Sequence, residues 1–145
     1  FYSYDFSFSG LKTSVLRQVE KIRLSGKEIP IDNLAASFEK VVADVLVERS
    51  LKYCLEHEIK SVVMVGGVAS NSRLRDLMSK EASKNFIDVF LAPKPFCTDN
   101  AAMIGTAALG RLISGVNPSS LHLGVSARFP LDQSDCLYKA NDPPF

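Results

Sequence analysis

Two stretches of this sequence set amide or carboxylate side chains beside small residues where a helix begins, and ligand chemistry would sit there. Val65-Gly66-Gly67-Val68-Ala69-Ser70-Asn71 follows an apolar run and opens a helical pattern. At such a turn free backbone N–H groups and a positive helix end face the solvent, which suits a nucleotide phosphate or ribose. The same residues also read as a plain strand-to-helix turn with Asn71 as N-cap. Cys97-Thr98-Asp99-Asn100-Ala101-Ala102-Met103 places a carboxylate and an amide at the mouth of a helix of small residues. Asp99 is therefore a candidate oxygen ligand for a cation such as zinc or iron, although taken alone it reads first as a cap for that helix.

Other groups carry weaker signals. Ser7-Phe8-Ser9-Gly10-Leu11-Lys12-Thr13 offers hydroxyls, a glycine and a lysine without the spacing of a phosphate-binding P-loop, and a loop leading into a capped helix explains it equally well. His57 and His122 have no second histidine or cysteine at ligand spacing and read as surface residues. Cys54, Cys97 and Cys136 are widely spaced, which fits neither a zinc site nor a disulfide scaffold and points to a reducing compartment.

The elements that must hold these residues follow from hydrophobic period. Leu11, Val15, Leu16, Val19 and Ile22 recur at three and four residues and predict a helix from Gly10 to about Ser25. A longer helix opens after Pro30 with Asp32 as its N-cap and runs to about His57. Its stripe comprises Leu34, Ala35, Phe38, Val41, Val42, Val45, Leu46, Cys54 and Leu55. Lys60 to Val65 reads as a strand buried on both faces, and Ile87 to Leu91 as a second. Between them Leu74, Leu77 and Met78 mark a helix over residues 71–84, and a last helix spans Asp99 to Ser114, its small residues permitting close backbone approach to a neighbour. Residues 1–116 form the structured part. Residues 117–145 read as a surface tail, with disorder expected at Asn141 to Phe145.

Among 145 residues, 46% are hydrophobic and 23% charged, with a formal net charge of +1. This is a globular composition without the broad basic field that announces a nucleic-acid partner, and no apolar run reaches the roughly 20 residues of a membrane span. Two strands cannot form a sheet buried on both faces, so the expectation is an incomplete, mostly parallel α/β sheet whose other strands lie upstream in a longer polypeptide. An exposed apolar sheet edge and a tendency to associate follow.

Phe6-Ser7-Phe8-Ser9-Gly10-Leu11-Lys12-Thr13, Gly66-Gly67-Val68-Ala69-Ser70-Asn71 with Arg73-Leu74-Arg75, and Cys97-Thr98-Asp99-Asn100-Ala101-Ala102-Met103-Ile104 occur in this order. Together they resemble the bacterial and organellar TsaD family, formerly labelled glycoproteases. Ala35-Ala36-Ser37-Phe38, Val42-Ala43-Asp44-Val45-Leu46 and Arg128-Phe129-Pro130-Leu131 extend the resemblance over nearly the whole chain, the last with Phe where the family has Trp.

The resemblance implies the actin and Hsp70-like ATPase fold, of which this chain would supply part of the second lobe. It also implies transfer of a threonylcarbamoyl group from threonylcarbamoyl-AMP to N6 of the adenosine after the anticodon, in tRNAs reading codons that start with A. Asn71, with Gly66 and Gly67, would contact the adenylate or ATP, and Asp99 would be one ligand of a divalent iron or zinc ion. The family's other two metal ligands lie in an HxxxH motif absent here, so the chain alone should be inert. Expected partners are tRNA and either a second copy or a related ATPase-fold subunit, with no membrane. The location would be the cytoplasm of a bacterium, or a mitochondrion or plastid. Metal-dependent proteolysis and a non-catalytic ATPase-fold scaffold are the rival functions; the first lacks HExxH, and retention of Asn71 and Asp99 speaks against the second.

Overall fold

The computed structural model describes residues 4–122 together with Gly124, Arg128 and Pro130. Helices α1 (Ser9–Leu24) and α2 (Ile31–Glu56) precede strand β1 (Ser61–Met64), helix α3 (Ser72–Lys84), strand β2 (Asp88–Leu91) and helix α4 (Ala101–Ile113). Short 3-10 turns at Gly67–Ser70 and Lys94–Phe96 follow the two strands. One compact unit ends at Thr98 and a second begins at Asp99. Cys136, Phe129, Leu131 and most of the expected tail, with the stretch Asn141 to Phe145 where disorder is expected, lie outside the described residues.

In the first unit β1 and β2 pair in parallel, Ser61 opposite Asp88 through to Met64 opposite Leu91. Alternate residues of a strand face opposite sides, so Val62, Met64, Val89 and Leu91 share one face, and it packs into the core. Above it lie two helical rows of four-residue spacing, Leu74, Met78 and Ala82 on α3 and Ala43, Val47 and Leu51 with Cys54 on α2. Truncating a buried leucine such as Leu74 to alanine would cost roughly 2–5 kcal/mol. Burial pushes the Cys54 thiol above its ordinary value, because water no longer solvates the thiolate.

The structure corrects the sequence reading in several places. The sheet is buried on one face only, with Val63 66% and Phe90 58% exposed on the other. Of the stripe expected on α2, only Cys54 is fully buried, while Phe38, Val41 and Leu55 are exposed. The reason is that apolar residues 41–43 and 45–47 surround this helix, and packing selects the row through the small Ala43. Asp32 lies in the first turn of α2 and is not its cap, since the N-cap position is Pro30. Helix α1 likewise starts from Phe8 without a side-chain cap. Helix α4 buries none of its residues.

Candidate functional site

The loop after β1 is shaped by Gly66, whose φ of 89° and ψ of 168° fall in a region essentially restricted to glycine. Gly67 differs, because its φ is not positive and a Cβ there would meet no atom within 4 Å. Nothing among the described residues requires glycine at that position. Gly67 and Val68 instead form one wall of a groove of about 660 Å³, whose other sides are Ala35, Ala36, Phe38 and Val42 of α2 and Asn71 and Leu74 of α3. Glu39 and Asn71 are the polar side chains on this largely apolar surface.

Asn71 is the N-cap of α3, as one of its two sequence readings holds. Its Oδ1 accepts the Leu74 N–H at 2.8 Å, and its Nδ2 donates to Glu39 Oε1 at 2.6 Å. With one lone pair and one N–H used, the amide still has one acceptor and one donor site. The capping bond and a contact with ligand are thus compatible.

Arg75 holds the surroundings of the loop. Its Nε donates to the Ala69 carbonyl, and its Nη2 donates to the Ala92 carbonyl and to Cys97 Sγ, the last at 3.2 Å. Lys94 Nζ reaches Ser72 Oγ at 2.7 Å. These contacts join the segments that follow β1 and β2, and ligands of parallel α/β sheets bind beyond the carboxyl ends of the strands.

Asp99 is exposed at the start of the second unit. It does not cap α4. That role belongs to Asn100, which has extended backbone angles and accepts the Met103 N–H at 2.9 Å through Oδ1. Gly67 and Asn71 therefore meet on one groove in the first unit, with Gly66 shaping the loop just before it, while Asp99 begins the second unit. Among the described residues no three His, Cys, Asp or Glu side chains gather as a group that could hold a metal ion. Likewise, no helix among them is long and apolar enough to cross a membrane.

Sequence reasoning missed Glu39 and assigned no role to Arg75. A signal for Glu39 was present: Ala35, Glu39, Ala43, Val47 and Leu51 follow one another at four-residue intervals, so a charge interrupts the row that α2 turns toward α3. Arg75 carries no comparable signal, because its acceptors are mainly backbone carbonyls.

Comparison with known proteins agrees with the resemblance. The family described as "TsaD: tRNA N6-adenosine threonylcarbamoyltransferase" matches residues 1–106. Two curated proteins of that name from strains of Prochlorococcus marinus are 70% and 63% identical over all 145 residues. One of the same name from Synechococcus sp. is 57% identical over the same length. The chain spans 40% of the length of each of these relatives.

Proposed function

The chain belongs to the TsaD family of tRNA N6-adenosine threonylcarbamoyltransferases, and from this premise we propose that it supplies the glycine-loop part of the nucleotide site in such an enzyme. The observation that carries this reading is Gly67: a glycine that the backbone does not need, on the wall of the groove that also holds Asn71. A missing Cβ there lets a ligand approach the main chain. The α/β architecture fits part of one lobe of an actin and Hsp70-like ATPase fold.

In the proposed reaction the adenosine N6 amine attacks the carbonyl carbon of threonylcarbamoyl-AMP. A C–N bond forms, the bond from that carbon to the phosphate oxygen breaks, AMP leaves, and N6 loses a proton. The groove would hold the adenylate, with Ala35, Ala36, Phe38 and Val42 offering apolar surface and Asn71 a polar contact. The amide orients the ligand and takes no proton. Transfer needs the reacting atoms held close together, and a nucleotide anchored in the groove restricts one partner of the reaction.

The described residues do not by themselves fit a metal ion, because Asp99 offers one carboxylate and no three-residue group accompanies it. Asp99 is proposed as one ligand of an iron or zinc ion, the others coming from outside this sequence. Such an ion would polarise the carbonyl. tRNA is the proposed macromolecular substrate, and a second copy or a related ATPase-fold subunit the proposed partner. The named relatives are cyanobacterial, which favours the bacterial cytoplasm over a mitochondrion.

Gly67→Ala in the full-length protein tests the reading. Calorimetric titration with ATP should show affinity lowered by about tenfold, since a Cβ would stand where the ligand approaches, equivalent to about 1.4 kcal/mol. The thermal midpoint should hold or rise, as alanine restricts the unfolded chain. Unchanged affinity would remove the nucleotide from this groove.

A further inference from the structure

Glu39 and Asn71 are 32 residues apart in sequence, yet the carboxylate of one and the amide of the other meet at 2.6 Å on the surface of the groove. The torsion at the end of an asparagine side chain is broad, so one capping bond leaves the amide plane free to swing. Here both ends are tied. Oδ1 is held by the Leu74 N–H and Nδ2 by Glu39, and a bond to a carboxylate is about twice as strong as a neutral one.

From this geometry we propose that Glu39 is a positioning residue, which holds the Asn71 amide so that its second N–H is offered to an acceptor oxygen of the bound nucleotide. The inference rests on the reading of this groove as the nucleotide site and adds to it the residue that sets the orientation of the contact. Glu39 sits at a place in the α2 row where the helix otherwise turns alanine, valine and leucine toward α3. An apolar residue would fit that row as well for packing. The carboxylate is accounted for by its bond to the amide. Asn71 also starts α3, so the tie from α2 fixes the groove across its width.

Chemistry separates Glu39 acting through Asn71 from Glu39 acting on folding or directly on the ligand. Glutamine keeps a carbonyl oxygen that can accept the Asn71 N–H, whereas alanine keeps nothing. In the full-length protein, ATP affinity would be measured by calorimetry for Glu39→Gln, Glu39→Ala, Asn71→Ala and the double alanine variant, with thermal midpoints alongside.

The expected result is affinity within about twofold of the parent for Glu39→Gln and about five- to tenfold weaker for Glu39→Ala, the weakening expected when one oriented hydrogen bond is lost. The double variant should bind no more weakly than Asn71→Ala alone, because a residue that acts through another has no effect once that other is gone. If Glu39→Ala lowers the midpoint, Glu39→Met restores the bulk without the acceptor and should bind as weakly as Glu39→Ala.

Normal binding by Asn71→Ala would overturn the nucleotide contact itself. Weakened binding by Asn71→Ala with parental binding by Glu39→Ala or Glu39→Met would overturn only the positioning role. Additive losses in the double variant would also overturn it, since Glu39 would then act independently of Asn71.

Discussion

Arg75 Nη2 lies 3.2 Å from the sulfur of Cys97, and through the same guanidinium the carbonyls of Ala69 and Ala92 are joined. One cation thus holds the end of the glycine loop, the residue after β2 and the segment that leads to Asp99. Arginine suits this place because its donors form a planar fork with fixed directions, which the single ammonium of lysine cannot reproduce.

Arg75→Lys should therefore be far from silent. Leaving these part-buried carbonyls without their donor costs up to about 1–3 kcal/mol per group, so the urea midpoint of the chain should fall clearly. Cys97, buried in the parent, should react faster with a thiol reagent, while Cys54 in the α2 row keeps its protection. Parental stability and parental Cys97 labelling would show that the two loops hold together without the clamp.

At the start of α4, the capping role that the sequence reading offered to Asp99 falls to its neighbour. Asn100 caps the helix, which leaves Asp99 without a capping duty. Asn100→Ala should lower stability by about 1 kcal/mol, the usual cost of a lost cap. Asp99→Ala in the full-length protein should leave the melting temperature in metal-free buffer nearly unchanged, yet remove bound metal and threonylcarbamoyladenosine from tRNA. Metal analysis with a modified-nucleoside assay decides the matter. Full metal content and normal product in Asp99→Ala would end its assignment as a ligand.

The same pair shows where sequence reading reaches and where it stops. Helix and strand positions were legible within about two residues, because Leu74 and Met78 repeat with the helical period and residues 61–65 do not. Asn71 was legible as a cap from type and place. Whether Asp99 or Asn100 caps α4 was not, since both side-chain types can do so and it is the folded backbone, extended at Asn100, that aims the capping oxygen at Met103. The Glu39–Asn71 bond joins distant residues, and local period carries no information about such pairs. The face of α2 was misread because apolar side chains surround the helix and tertiary contact makes the choice.

The exposed sheet face leads to the remaining prediction. Val63 and Phe90 are opposite each other across the parallel pair, on the side turned away from the α2 and α3 core, and remain 66% and 58% exposed. Fully burying a valine or phenylalanine side chain is worth about 1.5–3 kcal/mol. Two copies of the 145-residue chain that cover this face would gain from both residues on each copy. Val65, Val68 and Phe86 are also exposed, so association alone would not identify the surface responsible. The double variant Val63→Thr with Phe90→Thr does, because threonine keeps a strand-compatible, branched side chain while lowering the apolar area. Sedimentation velocity should show the parent associating as concentration rises into the micromolar range and the variant staying monomeric. Their urea midpoints should lie close together, since neither side chain is buried in the monomer. By contrast, Met64→Thr, one residue along on the core face, should lower the unfolding free energy by roughly 2–5 kcal/mol, and the urea midpoint with it, from lost apolar burial and a buried hydroxyl. Association of the double threonine variant at the parent's concentration would clear the sheet face and turn attention to Phe86 and the loop valines.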